Sequence, residues 1–142
     1  LRHQLQNYYL KTAGLQNGKI TPAVSPEAIP TEDAFILRAR EIVESHLTEY
    51  DFNVEQFCRE MHLSHSQLHR KLDALTGMSA NQFIRSLRLK KARTLLLLPE
   101  HSITAVAFDS GFNDPGYFGR VFKQELGMTP MEWRQKHIRQ TE

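Results

Sequence analysis

The sequence predicts an all-α fold of about seven helices, arranged as two helix-turn-helix subdomains, each a three-helix unit, joined by a long central helix. Three observations predict it. A helix-entrance device, a capping side chain with Gln or Glu three positions later, recurs at Asn53/Gln56, Ser64/Gln67, Ser79/Gln82 and Thr129/Glu132. Such pairs satisfy the free N–H groups of a first turn reciprocally. From Phe35 onward the apolar residues follow the helical period, and no stretch alternates convincingly as a strand would. Finally, "LSHSQLHRKLDALTGMS" (63–79) has an echo in "GFNDPGYFGRVFKQELGMTP" (111–130). With an offset of 49, Val54, Phe57, Cys58 and Leu63 fall on Ile103, Val106, Ala107 and Phe112. With an offset of 50, Leu68, Arg70, Leu72, Gly77, Met78 and Phe83 fall on Phe118, Arg120, Phe122, Gly127, Met128 and Trp133. Each copy reads as a short helix, a tight turn, a second helix and a Gly-Met-Ser/Thr break, which is a helix-turn-helix unit whose second helix can enter a DNA major groove.

The elements follow in order. "LRHQLQNYYLK" has Leu1, Leu5, Tyr8 and Tyr9 near helical spacing and is expected to be a connector or the last helix of an upstream domain. Position 1 is Leu, so the chain reads as a piece of a longer protein. Residues 11–34, with Gly14, Gly18, Pro22, Pro26 and Pro30, read as a linker. The body is expected at 35–142: a first subdomain at 35–78, a linker helix at 79–98 and a second subdomain at 99–142. Its first helix carries the stripe Phe35, Ala39, Ile42, Val43 and Leu47. Helix entrances follow at Asn53, Ser64, Ser79, Ser102, Asp114 and Thr129. Pro115 and Pro130 sit at first helical positions, where a missing N–H costs nothing. Gly77, Gly111 and Gly127 mark helix ends.

Charge is distributed unevenly. Residues 1–63 hold 6 Lys/Arg against 9 Asp/Glu, whereas 64–95 hold 7 against 1, a change from −3 to +6. Such a basic block suits a polyanion, although a solvated basic face gives the same count. Cys58 is the single cysteine, which excludes a disulfide framework and fits a reducing, cytoplasmic setting. The apolar run at 95–98 falls far short of the roughly 20 residues that span a membrane, so no membrane contact is expected of this segment.

In the first reading head Leu68, Leu72 and Leu75 face the core, leaving Ser66, His69, Arg70 and Asp73 on the outer stripe. Arg can bridge guanine O6 and N7, and Ser and His can bond to base edges, so Ser66, His69 and Arg70 are candidate base contacts. His65, Gln67 and Lys71 flank them as candidate phosphate contacts. In the second head Phe118, Phe122 and Leu126 turn inward, with Gly116, Gly119, Arg120 and Lys123 outward and Pro115 and Tyr117 at the margins. Glycine offers no side chain to a base, so Arg120 is the strong base contact here, with Asn113 and Lys123 toward phosphate. We therefore expect the first head to read sequence and the second mainly to fix position.

The helix between the heads is apolar on two faces: Ile84, Leu89, Ala92, Leu95 and Leu96 on one, Phe83, Leu87 and Leu98 on another. Lys90, Lys91 and Arg93 project between these seams, either to phosphate or merely to water. Arg85 and Arg88 are expected to be structural, pairing with acidic neighbours, and Trp133 to be a core anchor. Cys58, His62, His65 and His69 have spacings that zinc could use, but Cys58 shares a stripe with Val54, Phe57 and Met61, so no metal or cofactor is expected. No phosphate loop, nucleophile elbow or HExxH motif is present, so no enzyme is expected. Two functions stay open: sequence-specific binding of double-stranded DNA, and a helical protein-interaction module whose basic face docks an acidic partner.

"MHLSHSQLHRKLDALTGMSANQFIRSLRLKKARTLL" followed by "SITAVAFDSGFNDPGYFGRVFKQELGMTPMEWR" closely resembles the C-terminal DNA-binding domain of AraC/XylS-type transcription regulators, over roughly 35–134. The block Gly-Phe, Asp-Pro, Tyr-Phe, Arg-Val-Phe-Lys, Gly-Met-Thr-Pro is highly specific. The resemblance implies two homeodomain-like subdomains that insert recognition helices into successive major-groove segments. By position it makes Ser66, His69, Arg70, Pro115, Gly116, Tyr117 and Arg120 the base-reading candidates. It also implies an activator that contacts RNA polymerase and forms a homodimer through the upstream domain. "FILRAREIVESHLTEYDFNVEQFC" is similar to the form found as the output of a two-component response regulator or hybrid sensor kinase, with a receiver upstream. Where many relatives have Gly in the first turn this chain has His62, which tolerates the left-handed conformation.

Overall fold

The structure, a computed structural model, describes residues 31–141. Among them are seven helices and no strand: α1 (Thr31–Ser45), α2 (Val54–Met61), α3 (His65–Thr76), α4 (Ala80–Leu96), α5 (Ile103–Asp109), α6 (Pro115–Leu126) and α7 (Pro130–Thr141). The helix expected in "LRHQLQNYYLK" lies outside the described residues, as does most of the expected linker.

Two corrections concern α1. Residues 31–34, read above as linker, already form its first turn, where Glu32 and Asp33 complement the positive end of the helix dipole. The helix also stops at Ser45, whose hydroxyl donates to the Ile42 carbonyl at 2.7 Å, so Leu47 lies in the following loop rather than on the helical stripe.

The described chain divides into two compact units. One combines α1 with Asn53–Phe83; the other combines His46–Phe52 with everything from Ile84 onward. The loop between α1 and α2 therefore packs with the second unit. In the first unit Ile36, Ala39, Val43, Phe57, Met61, Leu68, Leu72 and Phe83 are buried, and the Phe57 and Phe83 rings stack at 5.9 Å. Cys58 is buried there too; burial, helped by Glu55, pushes its thiol pKa up. In the second unit Leu89, Ala92, Leu96, Val106, Ala107, Phe112, Phe118, Val121 and Phe122 form the core, with Leu95, Ile103, Leu126 and Trp133 packed against it. Trp133 is thus the anchor expected, edge-on to Phe122 at 6.3 Å. Leu98 is not part of a buried face: α4 ends at Leu96, and Leu97 and Leu98 are exposed in the turn beyond it.

The helix entrances form as read. Asn53, Ser64, Ser79 and Thr129 each accept from the N–H three residues on, and each accompanying Gln or Glu accepts from the cap's own N–H. Ser102 caps α5, and Asp114 caps α6 with Pro115 in its first turn. At α7 the hydrogen bonds from Thr129 hold the Glu132 carboxyl below its ordinary value of 4.5, against a small burial effect and with help from Lys123. A carboxyl whose folded pKa is depressed adds stability that is complete above its unfolded pKa and lost as pH falls through the lower folded value. Acid unfolding of α7, followed through Trp133 fluorescence, is therefore expected to gain a component below about pH 4.5 that Glu132→Gln abolishes, since the amide keeps the acceptor but not the proton equilibrium.

Candidate nucleic-acid interface

The turn between α2 and α3 needs a left-handed residue, and His62 supplies it with φ 59° and ψ 41°. Its N–H donates to the Arg59 carbonyl at 3.1 Å and the Leu63 N–H to Cys58 at 3.1 Å, which closes α2. Ser64 then starts α3 with its capping box. Because Leu68 and Leu72 are fully buried, Ser66, His69, Arg70 and Asp73 are all turned to solvent, with His65, Gln67 and Lys71 exposed beside them. The Lys71 ammonium lies 5.2 Å from the centre of the Phe35 ring, back toward α1.

An open pocket of about 380 Å³ lies at the start of α3, lined by His65, Ser66 and His69 together with Val54, Ser79, Ala80 and Asn81. Asn81, exposed in the first turn of α4, is a polar group of this surface that sequence reading did not single out. Only its place two residues after the Ser79 cap hinted at it.

In the second unit the turn before α6 is closed by Ser110, whose buried hydroxyl donates to Val106 at 2.6 Å, and by Gly111 at φ 96°. Asp114 accepts from the Gly116 N–H at 2.8 Å. Phe118 and Phe122 are fully buried, so Arg120, Lys123 and Gly116 face solvent, along with Asn113 and Tyr117, while Pro115 is half-buried. A side chain at Gly116 would lie 3.6 Å from Nη1 of Arg120. That is ordinary contact, so the guanidinium lies beside Gly116 without needing the glycine; the tighter neighbour of a Cβ there would be the Asp114 carboxylate oxygen at 3.2 Å.

On α4, Lys91 is exposed, and Lys90 and Arg93 are half-buried. Arg85 pairs with Glu125 at 3.7 Å, an acidic neighbour as expected. Arg88 instead donates to a backbone carbonyl, that of Glu49, at 2.8 Å. The zinc spacing does not converge: Cys58 is buried while His62, His65 and His69 are exposed, and among the described residues no three His, Cys, Asp or Glu side chains could hold a metal ion. No helix among the described residues is long and apolar enough to cross a membrane.

The profile of a helix-turn-helix domain family matches residues 57–136, more than half of the chain. The chain belongs to the AraC-type helix-turn-helix family of DNA-binding transcription regulators. The matched residues run from α2 into α7 and include the whole of α3, α4, α5 and α6. Histidine kinase P4 of Formosa agariphila is 29% identical over 99% of this chain, which corresponds to 10% of that protein. The transcriptional activator RhaR of an Enterobacter species is 39% identical over 85 residues, 60% of this chain and 30% of RhaR. The chain thus spans between a tenth and a third of the length of these relatives. Among solved structures, the C-terminal domain of AraT, a response regulator from Geobacillus stearothermophilus, aligns with a TM-score of 0.68 at 26% identity, covering 75% of this chain and 88% of that domain. The DNA-binding domain of the transcriptional factor AdpA, solved with a target DNA, aligns with a TM-score of 0.63 at 27% identity, covering 77% and 94%.

Proposed function

We propose that this chain binds double-stranded DNA by sequence and activates transcription as the output of a phosphorelay. The observation that carries the DNA-binding part is the pair of exposed stripes, Ser66, His69 and Arg70 on α3 and Tyr117 and Arg120 on α6, each on a capped helix whose other side is closed into a core. Histidine kinase P4 and the response regulator AraT, by their names, support a phosphorelay upstream, and RhaR supports activation. In this reading the residues before α1 connect to an upstream receiver-like domain that pairs two copies, RNA polymerase is the protein partner, and the protein works in the cytoplasm. Ser66, His69, Arg70, Pro115, Gly116, Tyr117 and Arg120 face bases. His65, Gln67, Lys71, Lys90, Lys91, Arg93, Asn113 and Lys123 serve phosphate.

Selection of binding sites from a random duplex library, with affinities measured across a salt series, tests the reading. Arg70→Ala is expected to cost about 1–3 kcal/mol on the preferred site and to relax the choice of base there. Lys123→Ala is expected to weaken all sequences alike and lower the salt slope by about one. A larger loss of sequence preference from Arg120→Ala than from Arg70→Ala would refute the division between a reading head and a positioning head. Absence of any duplex binding would favour the protein-interaction module.

A further inference from the structure

Arg88 lies where three pieces of the second unit meet: α4 itself, the loop that leads from α1 to α2, and the turn before α6. Its Nη2 donates to the Glu49 carbonyl of that loop at 2.8 Å. The loop is internally braced: the Glu49 N–H donates to His46 and the Phe52 N–H to Glu49, both at 3.0 Å. Phe52 is buried and stacked on the His46 ring at 4.5 Å.

Gly111, in the turn that opens α6, closes over the same group. A side chain there would overlap the Leu47 carbonyl oxygen and come within 2.7 Å of Arg88 Nε, and the backbone φ of 96° disfavours any other residue. The Arg88 Nε is buried and has no hydrogen-bond partner among the described residues. Burial lowers the Arg88 pKa, while neighbouring Tyr117 and Asp51 act to raise it.

Next to Gly111, Phe112 packs against Tyr117 at 6.2 Å and Phe118 at 5.0 Å. A shift of the turn would therefore reach the first turn of α6, which carries the candidate base contacts Pro115, Gly116 and Tyr117 and leads into Arg120.

We propose that Arg88 and Gly111 form a clamp that holds the 46–52 loop against the turn before α6, making Arg88 a positioning residue for base reading by that helix. The part concerning base reading rests on the DNA-binding role proposed above; the clamp itself does not. Arg88→Met keeps the apolar stem and removes the donors, and Arg88→Lys restores one donor and the charge.

Hydrogen exchange on the free 142-residue chain tests the clamp without DNA. Arg88→Met is expected to speed exchange about tenfold at the Phe52, Gly111 and Phe112 amides, with Arg88→Lys in between and the Leu68 and Phe122 amides unchanged. Unchanged exchange at the three clamp amides, or an equal rise at Leu68 and Phe122, overturns it. Binding-site selection supplies the second readout. Bases whose preference depends on Arg120 are expected to lose about tenfold in discrimination in Arg88→Met, while those that depend on Arg70 keep theirs. Equal loss at both sets, or at neither, removes the positioning role. A wild-type chain that selects no sequence refutes the DNA-binding reading and leaves the exchange result to decide the clamp.

Discussion

Truncating Phe122 to alanine is expected to destabilise the second unit by about 3–5 kcal/mol. The side chain is fully buried at the centre of that core. It meets Phe118 edge-on at 5.6 Å and Trp133 at 6.3 Å, so its removal leaves a cavity beside two aromatic rings that cannot easily collapse. Domains of this size have only about 5–15 kcal/mol of total stability. The truncated chain should therefore be partly unfolded or nearly so, and should lose binding that depends on α6. Phe122→Leu, which keeps most of the volume, is expected to cost about 1.5 kcal/mol or less. Chemical unfolding followed through Trp133 measures both, and a loss below about 1 kcal/mol for the alanine would contradict this description of the core.

The second large effect belongs to Arg134. The last carbonyls of a helix have no partner within it, and α4 ends at Leu96 in a turn with no glycine cap. Arg134 on α7 is largely buried and supplies the missing donors: Nε to Leu96 at 2.8 Å, and Nη2 to Leu98 at 3.3 Å and to His101 at 2.5 Å. Arg134→Met leaves the buried Leu96 carbonyl and the part-buried His101 carbonyl without this donor, while the Leu98 carbonyl keeps the His101 N–H at 3.1 Å. It is expected to cost about 1–3 kcal/mol, the cost of a buried carbonyl left unpaired. Arg134→Lys, a single point donor rather than a fork, should recover only part of it. Equal stability of the Met and wild-type chains would contradict this role.

These two residues also show what the sequence discloses. Phe122 was legible, because its spacing with Phe118 and its match to Leu72 in the first copy marked it as inward. The entrances at Asn53, Ser64, Ser79 and Thr129 were legible because a capping box is complete within four residues. Arg134 was not, and for Arg88 the structural role was legible but its partner, a backbone carbonyl rather than a carboxylate, was not. Each donates to carbonyls of residues more than thirty positions away, and a backbone acceptor leaves no trace in side-chain pattern. For the same reason the sequence did not show that the 46–52 loop packs with the second unit. The start of α1 was missed because Thr, Glu and Asp after Pro30 read equally as linker or as a favourable first turn. At the interface, the outward stripe followed from the inward one, whereas Asn81 came beside Ser66 and His69 only because the chain folds the first turn of α4 back next to the start of α3.

The most direct test of the central claim is a map of backbone amide resonances on titration with a duplex obtained from binding-site selection. The largest shifts are expected in 64–73 and 113–123, with Ser66, Arg70 and Arg120 among them and the α1 amides little moved. Shifts concentrated on α1 or α7, with both exposed stripes silent, would mean that these helices do not face the DNA.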